Sequence, residues 1–529
     1  MKLFKAMATI AGFTMVSRIA GMVRDMLTAS FLGAGPIADA FFVALKLPNF
    51  FRRIAGEGAF SVSFVPLYSK TLEQDGEEAA SRFSGRVFSL MLVILSVFTV
   101  VMMVLMPWVI HVIAPGFEEG TERYSLAVLL TRFSFPYLLL MSLVSLFGGI
   151  LNAHHRFGPF AASPILFNLS LIAALLVGGF IAPSVGHAMA VAISLSGILQ
   201  LGMMIFFLRK NKIKFVFQKP KLDEKTRTLF RKMGPGVLSA GVFQVNLFVD
   251  MMIGSLLPAG SISYLYYADR LNQLPLSVAG IAVGTALLPM LSRSLAGEDM
   301  EESRSLFNRS LEFCFLVALP AAVALLIIPF PLVATLFEHG KFSEQDALIT
   351  SYVLMGYGVG LPAYIASKVF MTAFWSYGDT STPVRISILT ALLNIILCLM
   401  LIGWLGAPGI SLATGLVGWL QVYLLHKQLA GKEALLFDDR LKEVFPKIAV
   451  CSCIMAIVLA ALGYGLRNEF QGALASKLAG TSILIGGGAV TYALAVYLSG
   501  IFKLQDIKKY LTHRRGLDDQ TNSLGNAAD

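Results

Sequence analysis

Apolar runs long enough to cross a lipid bilayer recur along the whole chain, and this feature most narrows what it can fold into. A helix needs about 20 mostly apolar residues to span a hydrocarbon layer about 30 Å thick. Windows bounded by charge, Gly and Pro meet that requirement about fourteen times. They lie near residues 3–33, 36–68, 84–113, 124–151, 160–181, 185–208, 233–257, 261–291, 309–337, 346–374, 384–403, 408–426, 445–466 and 478–502. Backbone polar groups in lipid must be satisfied within the segment, so open spans of this kind are helices. A soluble chain carries roughly 25% charged residues; this one carries 14%, with 56% hydrophobic. The expected fold class is an all-α polytopic membrane protein of about fourteen transmembrane helices. No connection is long enough to hold a soluble catalytic domain.

The net charge of +10 would suggest nucleic acid on a soluble protein. On a polytopic one it is first a matter of topology, because cytoplasmic loops collect Lys and Arg. Alternate connections carry Lys2 and Lys5, Lys70 through Arg86, Arg156, Arg209 through Lys232, Arg293 through Arg309, Arg385, Lys427 through Lys447, and Lys503 through Arg515. The opposite ones hold only Arg123, Lys341, Arg467 and Lys477. Both termini are therefore expected in the cytoplasm, and no nucleic-acid partner is expected. Arg18, Arg24 and Asp25 interrupt the first apolar run before a cleavage site, so it is read as a retained helix rather than a signal peptide. Cys314, Cys398, Cys451 and Cys453 all lie inside apolar runs and read as small core residues.

The chain also repeats itself at a period of about 220 residues. Pro66 matches Pro289, Ser69-Lys70 matches Ser292-Arg293, Pro164 matches Pro383, and Gly197-x-x-Gln200 matches Gly418-x-x-Gln421. Six spans per copy give both copies the same orientation, related by an axis along the membrane normal. The expected division is a six-helix lobe at 1–215, its repeat at 216–440, two extra helices at 441–505, and a polar tail at 506–529. Two facing lobes are the architecture of an alternating-access transporter.

Removing the topological charges leaves eight basic residues at membrane depth: Arg18, Arg24, Lys46, Arg52, Arg53, Arg132, Arg270 and Lys368. Even low estimates charge about 2.5–3.5 kcal/mol for an Arg at the bilayer centre, so such a group must line water, pair with acids or bind an anion. Thr14, Arg18, Gly21 and Asp25 share one helical face, as do Asp39 and Lys46. Gly21, Pro48 and Gly56/Gly58 are expected break points that open a cavity. The embedded acids are Asp25, Asp39, Glu57, Asp250 and Asp269, and local pairing would join Asp25 to Arg18 or Arg24, Asp39 to Lys46, Glu57 to Arg53, and Asp269 to Arg270. A positive surplus remains, and guanidinium groups bind phosphate oxygens bidentately. Arg132 and Lys368 are weaker members of the set because either could snorkel.

Enzymatic signatures are missing. His154-His155 has no neighbouring acids, and neither a Gly-x-Ser-x-Gly elbow nor a phosphate-binding Gly-rich loop occurs. A transporter rather than an enzyme is expected.

The combination of motifs resembles a known family. Ser17-Arg18-x-x-Gly21-x-x-Arg24-Asp25 is followed by Asp39-x₆-Lys46-Leu47-Pro48-Asn49 and Arg52-Arg53-x-x-x-Glu57-Gly58. Phe64-Val65-Pro66, Ala114-Pro115-Gly116-Phe117 and Tyr266-Tyr267-Ala268-Asp269-Arg270 complete the set. Together they resemble the MurJ (MviN) lipid II flippases of the multidrug/oligosaccharidyl-lipid/polysaccharide exporter superfamily, and the likeness runs from the first span through the fourteenth. The resemblance implies movement of undecaprenyl-diphosphate-linked disaccharide-pentapeptide from the cytoplasmic to the periplasmic leaflet of the bacterial inner membrane. It maps the family's cavity arginines onto Arg18, Arg24, Arg52 and Arg270, with Asp25, Asp39 and Glu57 as accompanying acids; Lys46 and Arg53 join them from the charge reading above. It implies a lipid-tail groove formed by the last two spans, and contact with membrane lipids and cell-wall synthesis proteins. Sodium in some relatives points to Asp250 and Asn394, although residues 384–403 bring no acid. Coupling to the membrane potential is the other expectation, and no further cofactor is expected. The competing readings are a flippase for another polyprenyl-diphosphate glycan and a cation or drug antiporter, whose cavity would need the opposite sign of charge. A lipid-acting enzyme and a non-transporting scaffold stand further off.

Overall fold

A computed structural model describes residues 2–53, 60–282, 287–297, 299–429 and 437–501. The first half folds into α1 (Lys2–Leu32), α2 (Pro36–Phe51), α3 (Ser61–Val104), α4 (Met106–Ile113), α5 (Glu122–Ser134), α6 (Tyr137–Ala153), α7 (Gly158–Ile181) and α8 (Val185–Lys210). The second half continues with α9 (Glu224–Ser255), α10 (Ser261–Ala282), α11 (Leu288–Ala296), α12 (Met300–Ile327), α13 (Pro329–Phe337), α14 (Glu344–Ser376), α15 (Ser381–Leu405) and α16 (Ala407–Leu429). Two more helices close the chain, α17 (Asp439–Gly465) and α18 (Leu474–Leu498). Among the described residues there is no strand. The all-α expectation holds.

Ten of the described helical segments are long and apolar enough to cross a membrane. α1, α9 and α10, of 31, 32 and 22 residues, carry Arg18, Arg24, Asp25, Asp250, Asp269 and Arg270. The two most enclosed spans are α5–α6, with 83% of its apolar window buried, and α14, with 67%. These occupy corresponding places in the two halves.

Local sequence explains the breaks. The long α3 bends at Gly76, whose φ of 82° suits a residue without Cβ. The second half separates at the matching place into α11 and α12, and Asp299 caps α12 by accepting from the Glu302 N–H at 2.9 Å. Pro136 divides α5 from α6. Two expected breaks do not occur. α1 runs straight through Gly21, which instead leaves room for the Asn168 side chain, 3.6 Å from where a Cβ would stand. α2 continues past Pro48 to Phe51. Gly56, Glu57 and Gly58 lie outside the described residues, as does the tail from 502 onward.

The segment joining the halves is strapped to α3. Ser81 Oγ accepts from the Val216 N–H at 2.9 Å, and the Val216 carbonyl lies so close to Gly85 that a Cβ there would collide with it. Asp223 then caps α9, accepting from the Thr226 N–H at 2.9 Å, and pairs with Arg86 of α3.

The chain gathers into two compact units that cut across the repeat. One holds Met1–Asp269, Leu336–Val353 and Ser387–Ala413; the other holds Arg270–Thr335, Leu354–Ile386 and Thr414–Asp529. In the second unit α17 and α18 pack around Ile328, Met455, Leu459, Phe470 and Leu484, and Tyr492 donates to the Leu316 carbonyl at 2.8 Å. Asp438 caps α17 and pairs with Arg309, which also pairs with Glu312; Arg440 reaches the other Glu312 oxygen at 3.2 Å.

Candidate functional site

Arg24 and Asp25 are successive residues in the last third of α1, and both are buried. They are 7% and 3% exposed. An uncompensated charge at such a place is strongly destabilising, so each needs a partner. Arg24 donates from Nε and Nη2 to Asp25 Oδ1 at 3.0 and 2.6 Å. Its Nη1 donates to Asn168 Oδ1 of α7 at 2.9 Å, and Nη2 also reaches the Tyr266 hydroxyl of α10 at 3.2 Å. That hydroxyl donates its own proton to Asp25 Oδ1 at 3.1 Å. Asn168 is oriented in turn, donating from Nδ2 to the Ser17 carbonyl at 3.0 Å. The Tyr266 ring stacks on Phe42 with centroids 3.9 Å apart, and Phe167 lies under the guanidinium at 5.7 Å. The pocket therefore joins helices from both halves of the repeat, inside one compact unit. The expected Arg24–Asp25 pair is present; Asn168 and Tyr266, which hold it, are uncharged and gave no charge-based signal.

The second buried acid behaves differently. Asp39 is fully enclosed and accepts from Arg123 Nη2 at 2.7 Å, the Gly260 N–H at 2.8 Å, the Ser263 N–H at 2.9 Å and Ser263 Oγ at 2.6 Å. The backbone donors are the unsatisfied N–H groups at the start of α10, so a side chain from α2 caps a distant helix. Arg123 donates onward to the Leu257 carbonyl at 3.0 Å and lies over the Phe117 ring at 4.1 Å. This corrects the expectation that Asp39 pairs with Lys46. Spacing of seven puts both on one face of α2, but the carboxylate is taken by a donor from α5 and by the start of α10. By sequence Arg123 is a topological loop charge; in the fold it serves Asp39.

The two halves clasp each other in a reciprocal way here. The loop after α4 packs on the end of α9: the Gly116 N–H donates to Ser255 Oγ at 3.0 Å, and a Cβ on Gly116 would overlap the Ser255 carbonyl. The loop after α13 packs likewise on the end of α1: the Lys341 N–H donates to the Ser30 carbonyl at 2.8 Å, and a Cβ on Gly340 would overlap that carbonyl. Tyr264 of α10 donates to Asp346 at the start of α14 at 2.8 Å.

The other expected residues are distributed more loosely. Arg18 is exposed on α1, Lys46 is half-buried on α2, Arg52 is half-buried and donates from Nε to Asn49 Oδ1 at 3.0 Å, and Arg53 is exposed. Glu57 lies outside the described residues. Arg270 is half-buried on α10 in the second unit. Arg132 donates to the Met103 carbonyl at 2.9 Å. Asp250 on α9 is half-buried; Asn394 on α15 is buried, with the Cys398 thiol 3.7 Å from its Oδ1. Among the described residues no group of three or more His, Cys, Asp or Glu side chains is placed to hold a metal ion.

With this geometry in hand, comparison with known proteins is specific. The family described as Lipid II flippase MurJ matches residues 28–478. The chain is 37% identical over 506 residues to the probable lipid II flippase MurJ of Rhizobium meliloti (strain 1021), covering 95% of this chain and 94% of that protein. It is 34% identical over 432 residues to the lipid II flippase MurJ of Burkholderia cenocepacia, covering 80% and 83%. A structure titled as lipid II flippase MurJ in an inward closed conformation superposes with a TM-score of 0.77 at 27% identity, covering 92% and 98%. An inward-facing multidrug resistance MATE transporter of the MOP superfamily shares the fold, with a TM-score of 0.67 at 15% identity over 82% of this chain and 99% of that one. The chain belongs to the lipid II flippase MurJ family.

Proposed function

We propose that this protein carries lipid II from the cytoplasmic to the periplasmic leaflet by alternating access, with the Arg24 pocket receiving the diphosphate. The observation that carries the reading is the buried guanidinium of Arg24, held by Asp25, Asn168 and Tyr266 in a chain of this family. A diphosphate can take the Nε and Nη2 donors that now share one Asp25 oxygen onto two oxygens of its own, with more charge. The guanidinium can exchange its carboxylate for substrate oxygens without moving the backbone, because Asp25 is its neighbour on α1. Asp25 keeps the empty pocket neutral, and Tyr266 passes the exchange to α10. Arg18, Arg52 and Arg270 are the further diphosphate contacts that the family resemblance supplies, Lys46 and Arg53 add basic charge, and Asp39 with Arg123 serves as the external gate. The prenyl chain stays in lipid along α17 and α18.

Both termini lie in the cytoplasm in this reading, since the basic connections alternate with sparse ones. The inward-negative potential acts on cavity charge at about 2.3 kcal/mol per elementary charge per 100 mV and helps reset the empty carrier. Asp250 and Asn394, on two helices of one compact unit, supply oxygen donors of the kind a monovalent cation takes. Cell-wall synthesis proteins are proposed as partners and no catalytic step is invoked. An antiporter of cationic drugs is disfavoured by an Arg at the centre of the pocket. Depleting the protein in cells without another flippase, then detecting externally exposed lipid II enzymatically, tests the reading. Exposure should collapse; normal exposure would refute it.

A further inference from the structure

Lys368 lies on α14 two turns before its end at Ser376, at membrane depth by the hydropathy of that helix. It is half-buried, and among the described residues no carboxylate, carbonyl or hydroxyl accepts a hydrogen bond from its ammonium. The titratable group its charge meets among them is the buried Cys314 thiol of α12. The tip does not snorkel away; it rests on α10, where a Cβ on Gly280 would stand 2.7 Å from Nζ. A glycine at that position keeps the ammonium uncovered. A cation kept at membrane depth without an anion is a costly feature that marks a ligand path.

Position selects the ligand. Gly280 follows Arg270 by ten residues on the same helix, about 15 Å along its axis. If Arg270 meets the diphosphate, Lys368 is too far away to share it. The other anions in a lipid-linked disaccharide-peptide are the peptide carboxylates, which the sugar and several peptide units separate from the diphosphate. We infer that Lys368 is a specificity residue that receives a peptide carboxylate of the head group. This deepens the flippase reading and rests on it.

The test uses the full chain in nanodiscs, titrated with lipid II and with the same diphosphate-disaccharide lipid lacking its peptide. Lys368→Met should weaken lipid II binding about tenfold, the loss of one charge-assisted contact, and leave binding of the peptide-free lipid unchanged. Lys368→Arg should restore most of the affinity. Gly280→Ala, which keeps the charge and crowds the ammonium, should show the same selective loss if Lys368→Met does not fold. Unchanged lipid II binding, or equal losses for both lipids, would overturn the assignment. Equal losses would point to a second phosphate contact. Failure of the unsubstituted protein to bind either lipid would overturn the flippase reading itself, and this inference with it.

Discussion

Asp25 and Asp39 are both buried acids, on α1 and α2, and each accepts from an arginine, yet their surroundings assign them opposite work. Asp25 takes Arg24 from the preceding residue of its own helix. Breaking that pair rearranges side chains only, so the contact can be traded for a ligand. Asp39 takes Arg123 from α5 and two N–H groups from the start of α10. Its bonds cannot be broken without drawing chain segments apart. The first arrangement suits an exchangeable binding pocket, and the second a gate that is either shut or open.

The largest effect should come from breaking the gate while sparing the pocket. Asp39→Ala leaves the Arg123 charge buried without its carboxylate, a change that costs about 3–5 kcal/mol in comparable buried pairs. Chemical or thermal unfolding in detergent should register the loss, whereas Asp39→Glu should retain part of it. A smaller effect is expected from the close approaches beside the gate. Gly116→Ala places a Cβ against the Ser255 carbonyl and should destabilise by about 1–3 kcal/mol. Gly120→Ala, at a φ of 84° with nothing within 4 Å, meets only backbone strain and should cost nearer 1 kcal/mol. Equal effects of the two would remove the clasp from the account.

Tyr266→Phe should sharpen the comparison from the pocket side. It removes one donor to Asp25 and one acceptor for Arg24, worth about 0.5–1.5 kcal/mol apiece. Stability should fall modestly while lipid II exposure in cells falls more. The smallest expected effect lies outside both regions, at Asp223. Burial alone would raise its pKa, but hydrogen bonds from Thr226 and the Arg86 guanidinium outweigh this and hold the carboxyl below its usual range. The strap it anchors should therefore be firm above the ordinary carboxylate pKa and loosen as pH falls through the lowered one. Asp223→Asn should flatten that part of the acid-unfolding profile.

Much of this was legible before any coordinates. Apolar length and helical spacing act within one segment, so the helices and the Arg24–Asp25 neighbours follow from sequence. Partners across the fold do not. Lys46 looked right for Asp39 by spacing along α2, but tertiary packing delivered Arg123 and the start of α10 instead. Gly21 is a break point by sequence, yet its value is the absence of a side chain opposite Asn168. Asn168 and Tyr266 went unnoticed because a charge inventory ignores neutral hydrogen-bonding groups, although Tyr266 stands in one of the family motifs. Arg123 could have been found: it follows the Ala114–Phe117 motif, and an Arg beside a loop glycine on the sparsely charged side is unusual enough to ask what it holds.

The exchange of Asp25 for substrate at Arg24 is tested most directly by lipid II exposure in cells whose only flippase carries Arg24→Ala, with membrane insertion and folding verified on the same cells. External lipid II should fall to the level of depleted cells while the protein remains inserted. Exposure at the level of the unsubstituted protein would contradict the assignment of the pocket.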